Sequence, residues 1–112
     1  MIKFGPSFFA CFFSTCFLLI GSSVYAQDLA RGERLYQSCI QCHGSNGQGN
    51  PAERAPMIGG QFDWYIETAL NDFKSGERVN PDMDPYIADL NEQDFKDLAA
   101  YISTLVVENL AD

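Results

Sequence analysis

The stretch Ser38-Cys39-Ile40-Gln41-Cys42-His43-Gly44, SCIQCHG, holds the single histidine of the 112-residue chain, directly behind the second of two closely spaced cysteines. The other two of the four cysteines, Cys11 and Cys16, lie in an apolar run near the start. Three chemistries use Cys-x-x-Cys-His. A structural zinc site closes with four N or S ligands, and Cys39, Cys42 and His43 supply three. A carboxylate or water would complete the set, with the adjacent Cys42 and His43 as awkward tetrahedral partners. A dithiol redox couple lowers the pKa of its attacking thiol and sits in a strand-helix-strand context. Covalent haem attachment uses all three side chains. The two thiols add to the two vinyl groups from one helical turn, and the imidazole beneath supplies an iron ligand through Nε2.

Working outward, residues 1–26, MIKFGPSFFACFFSTCFLLIGSSVYA, read as an address rather than as structure. One positive charge, Lys3, precedes an apolar run from Phe8 to Ile20, and Val24 and Ala26 stand where a signal peptidase reads small residues. The run is shorter than the ~20 residues of a membrane-spanning helix. Retention as an N-terminal anchor is the rival reading. Cleavage after Ala26 would leave residues 27–112 as one small domain in an exported, oxidising compartment. Of the 7 basic residues only Lys3 would be lost, so 6 would face all 15 acidic ones for a net charge of −9. Such a surface argues against nucleic acid, whose phosphates need Lys and Arg, and favours partners with basic patches.

The exported stretch reads as helices joined by long loops, without a strand. Asp28 is placed to cap a helix through LARGERLYQS, with Leu29, Gly32, Leu35 and Tyr36 on one side. GSNGQGNP and APMIGG are loop. In QFDWYIETALNDFKSG, Ile66, Ala69, Leu70 and Phe73 recur at helical spacing and Gly76 is placed to stop the helix. Pro81 and Pro85 break the next loop, and Pro85 can open a short helix through Leu90. Asn91 caps a last helix with Phe95, Leu98, Ala99, Ile102 and Val106 as its apolar stripe, and Asp94 suits its first turn. A domain of this size commonly needs a staple. Two long loops on either side of the middle helix also need something to order them.

With haem as the staple, an electron carrier needs a second axial ligand. The lone histidine rules out a bis-imidazole pair, leaving Met57 and Met83 in the exported stretch. A His/Met pair raises the potential and suits electron transfer, and thioether sulfur is a soft ligand appropriate to reduced iron. Met83, in the Pro-rich loop NPDMDPY, is an odd residue to find outside a core. The middle helix lets the chain cross from one haem face to the other before reaching it. Met57 reads instead as apolar packing against the porphyrin.

In CIQCHGSNGQG, APMIGGQ, YIETALNDFKSGER, MDPYIADL and DLAAYISTL, taken in that order, the chain resembles the class I c-type cytochromes of the short bacterial periplasmic kind. It also resembles one half of their two-haem relatives. The resemblance implies an all-α fold of three to four helices wrapped around one covalent haem c, with N- and C-terminal helices crossing near a right angle. It implies that Gly32 and Tyr36 meet Leu98 and Tyr101. It gives the Pro56 carbonyl the His43 Nδ1–H bond, a contact that fixes the ring, and gives Met83 the axial position. Gln61, Trp64 and Arg78 are the candidate donors to the haem propionates. The function implied is that of a monomeric periplasmic carrier of one electron, not an enzyme, working with redox partner proteins and meeting the membrane only through partner complexes. The alternative is a haem c subunit fixed in a larger oxidoreductase.

Overall fold

The computed structural model describes residues 1–3, 5 and 26–108. The expected leader, with Cys11 and Cys16, therefore falls almost wholly outside the described residues. Five α-helices follow in order: α1 (Leu29–Tyr36), α2 (Ile40–His43), α3 (Asp63–Ser75), α4 (Asp84–Ile87) and α5 (Glu92–Thr104). A 3-10 turn at Pro51–Glu53 interrupts the long loop between α2 and α3. Among the described residues there is no strand, only an isolated bridge between Asn50 and Ala55. No described helix is long and apolar enough to cross a membrane.

Local chemistry sets the helix ends. The Asp28 carboxylate accepts from the Arg31 amide, satisfying one of the donors that the start of α1 leaves free. Asn91 and Asp94 form a reciprocal capping box on α5, each side chain accepting from the other residue's backbone N–H. Gly76, at φ 84°, takes the left-handed conformation that terminates α3.

α1 and α5 pack tightly, because Gly32 has no side chain. A Cβ built on Gly32 would stand 2.1 Å from the Asp97 carbonyl oxygen and 2.8 Å from the Tyr101 Cβ. Tyr36, one turn on, is fully buried, with its ring 5.6 Å from that of Tyr101. Arg31 pairs with Asp94 and, at 3.0 Å, with Asp97, so the same crossing carries charge as well as apolar contact. α3 closes the core from the other side with Ile66 and Leu70 against Phe95, Leu98 and Ile102.

Four expectations need correction. α1 ends at Tyr36 rather than Ser38; a turn follows, and the cysteine pair falls on its own one-turn helix. The helix opened by Pro85 stops at Ile87 rather than Leu90. Val106 lies beyond the end of α5 and is exposed, so the stripe closes at Ile102, and Leu29 likewise points to solvent from the first turn of α1.

Candidate haem site

α2 is too short to stabilise itself, since one turn fixes more backbone freedom than its few hydrogen bonds return. It is held from outside. The Tyr36 hydroxyl donates to the Gly44 carbonyl, just past the end of α2, at 2.7 Å. The buried end of α1 thus fastens the residue after the histidine. Burial pushes the Tyr36 phenol up to about 12, so it stays a donor throughout the neutral range.

Cys39, Cys42 and His43 open into one cleft of about 350 Å³. Two chain segments line it, residues 38–61 with the cysteine turn and residues 78–90 with Met83, together with α3 and α5. Ile66, Leu70, Leu98 and Ile102 give it an apolar floor. Both cysteines are half-buried. Burial raises the Cys39 thiol above its ordinary value, the opposite of what an attacking dithiol needs. Among the described residues no group of three or more His, Cys, Asp or Glu side chains is arranged to hold a metal ion, so the zinc reading finds no closed ligand set.

His43 is 5% exposed, and its Nδ1 lies 2.8 Å from the Pro56 carbonyl oxygen. A carbonyl can only accept, so Nδ1 carries a proton, and in the neutral ring that leaves the lone pair on Nε2. A buried imidazole in that tautomer is ready to ligate. Met83 is half-buried in the same cleft and packs against the core cluster. Met57 also lines the cleft, but directly follows the Pro56 whose carbonyl holds His43, so it belongs to the histidine's own segment.

The candidate propionate donors divide. Gln61 and Arg78 line the cleft, with Arg78 also lying 4.6 Å from the centre of the Phe73 ring. Trp64 does not line it. It is 62% exposed and stacks beside Phe62, while its neighbour Tyr65 lines the cleft instead. Helical phase explains the difference. Tyr65 lies four residues before Ala69 on the arc of α3 that meets the cleft, whereas Trp64 shares its face with the exposed Thr68. The Tyr36–Gly44 bond, the Gln41–Tyr86 hydrogen bond and the Arg54–Asp82 ion pair carried no sequence signal, since each joins residues through the fold.

Residues 29–106 match the family model for cytochrome c. The chain belongs to the cytochrome c family. It is 35% identical over 82 residues to cytochrome c-554(548) of Halomonas halodenitrificans, covering 70% of this chain and 98% of that one. It is 38% identical over 80 residues to the cytochrome subunit of sulfide dehydrogenase of Chlorobaculum tepidum, covering 71% of each. The fold matches the reduced recombinant cytochrome c4 of Pseudomonas stutzeri with a TM-score of 0.65 and 32% identity, over 70% of this chain and 48% of that one. This chain thus spans about half the length of the cytochrome c4 relatives it matches.

Family membership brings a covalent haem c with its iron, and the residues present fit that group. Paired thiols, an imidazole with its Nε2 lone pair free and an apolar floor are the donor set and surroundings it requires. The all-α expectation is met by the helices and by the structural neighbours.

Proposed function

We propose that this chain carries single electrons between redox partner proteins in the bacterial periplasm, as a carrier rather than an enzyme. Residues 27–112 form the working domain once the leader at 1–26 is removed. The carrying observation is that Cys39, Cys42, His43 and Met83 all open into one apolar cleft. When bound, the haem supplies the one-electron Fe(III)/Fe(II) couple.

The chain's residues do the rest. Cys39 and Cys42 anchor the group from one turn, so it cannot leave with its electron. His43, oriented by Pro56, and Met83 would be the two side chains that hold the iron. Filling both positions suppresses oxygen chemistry and limits rearrangement between oxidation states. Gln61 and Arg78 donate to the propionates, while the apolar floor holds water away and tunes the potential. The acidic surface guides weak, fast docking to basic patches.

The test is Met83→Ala in the purified holoprotein. It should lose the weak near-infrared Fe–S band of the oxidised form, bind carbon monoxide when reduced, and drop in potential. A variant with an unchanged near-infrared spectrum would remove Met83 from the ligand set. Docking by charge further requires that reaction rates with a redox partner fall with added salt.

A second reading is a haem subunit fixed to a catalytic chain, favoured by the likeness to a cytochrome subunit of sulfide dehydrogenase. Size exclusion of native extract separates the two. A lone small red species supports the monomeric shuttle, and co-elution with a larger chain supports the subunit.

A further inference from the structure

Two polar ties run between the two segments that line the cleft. Gln41 Nε2 donates to the Tyr86 hydroxyl at 2.5 Å, and an Arg54 guanidinium nitrogen pairs with an Asp82 carboxylate oxygen at 3.0 Å. Their positions are not scattered. Gln41 is the spacer residue just before Cys42, and Arg54 lies two residues before Pro56, which holds His43. Asp82 immediately precedes Met83, and Tyr86 follows it by one turn. Each tie therefore starts beside a group that fixes the histidine segment and ends beside Met83, one on either side of it in the chain.

The ties are poorly explained as general stabilisers. The Arg54 and Asp82 side chains are 83% and 69% exposed, and such ion pairs add little to folding. Arg54 also holds φ 53°, the one positive φ of a non-glycine residue among the described residues. Glycine occupies that conformation at lower cost. The guanidinium is what a glycine there would lack. α4 is fastened to α3 by Lys74, which donates to the Ala88 carbonyl. Neither α3 nor Lys74 joins α4 to the cysteine turn, whereas the Gln41–Tyr86 bond does.

We propose that these two ties are latches. They hold the Met83 loop against the haem-attachment segment and so keep outside ligands from the position Met83 fills. The inference rests on the reading of Met83 as an axial ligand. Its electrostatic half is screened by salt, because the ion pair is exposed, while the amide–phenol half is not.

The experiment titrates imidazole, a competing ligand, into oxidised holoprotein and follows the near-infrared Fe–S band. Wild type is compared with Tyr86→Phe, which removes one hydroxyl, with Asp82→Asn, and with the double variant. Each single change should tighten imidazole binding about threefold and the pair about tenfold, if the ties act independently. Added sodium chloride should tighten binding to wild type and to Tyr86→Phe but leave Asp82→Asn unchanged. Arg54→Gly breaks the same ion pair while relieving the backbone, so it should behave as Asp82→Asn does without a loss of thermal stability. If the wild-type band is present and imidazole affinity is equal in all variants, the latches are overturned. If wild type has no such band, the Met83 reading itself falls and takes the latches with it.

Discussion

Gly32 and Asp97 meet so closely that a methyl group on Gly32 would sit 2.1 Å from the Asp97 backbone oxygen. The contact is backbone against backbone, so no side chain can swing aside to relieve it. Gly32→Ala should force α1 and α5 apart and cost about 3 kcal/mol, the upper range for overpacking a tight contact. Thermal unfolding of holoprotein tests this, and an alanine variant within 0.5 °C of wild type would contradict it (roughly the resolution at which about 0.1 kcal/mol is visible in a domain this size).

The Tyr36 hydroxyl donates to the Gly44 carbonyl at 2.7 Å from a fully buried ring. Tyr36→Phe keeps the ring and leaves the Gly44 carbonyl with the Gly47 amide alone, at a cost of about 1 kcal/mol. The phenol is raised to about 12 from 10.0. Its contribution is therefore complete below pH 10 and is lost as the pH climbs to about 12. Stability curves between pH 9 and 12 should fall for wild type and fall less for Tyr36→Phe.

Acid acts on the other side of the same helix crossing. Burial opposes ionisation of Asp97, but the Asp28 amide, Gln93 and Arg31 outweigh it and hold the carboxyl below its ordinary value. A depressed carboxylate stabilises the fold above its unfolded value of 3.8 and loses that contribution as the pH falls through its lower folded value. The melting temperature should hold steady above about pH 5 and drop below about pH 4. Asp97→Asn should be less stable at pH 7 and show a shallower acid slope; an unchanged slope would assign the acid loss elsewhere.

Arg78 lines the cleft and Trp64 does not. Removing a positive charge from the cleft lining would favour Fe(III), so Arg78→Ala should lower the reduction potential. Trp64→Ala should leave both potential and spectrum unchanged. Voltammetry of the two holoproteins decides, and a shift confined to the Trp64 variant would reverse the assignment.

The sequence carried the helices well because their caps and stripes are local. Asp28, Asn91 and Gly76 announce ends through chemistry confined to one turn, and Phe95, Leu98 and Ile102 share a face by spacing alone. Cys-x-x-Cys-His is equally local, since its three groups belong to a single turn. Legibility stopped where position depends on rotation or on distant chain. Trp64 and Tyr65 differ by one residue, about 100° of helix, and the rotation of α3 places Tyr65 rather than Trp64 on the cleft. Val106 fits the stripe by period, but α5 ends before reaching it. The Gln41–Tyr86 and Arg54–Asp82 ties join residues 45 and 28 positions apart, a pairing that no local pattern encodes.

The mass of purified protein after hot acidified acetone extraction is the most direct measurement of the central claim, that Cys39 and Cys42 both bond the haem. The extracted chain should stay red and weigh one haem more than the polypeptide, and Cys39→Ser with Cys42→Ser should yield a colourless chain of bare polypeptide mass. Wild-type protein that surrenders its pigment to the acetone would contradict the account.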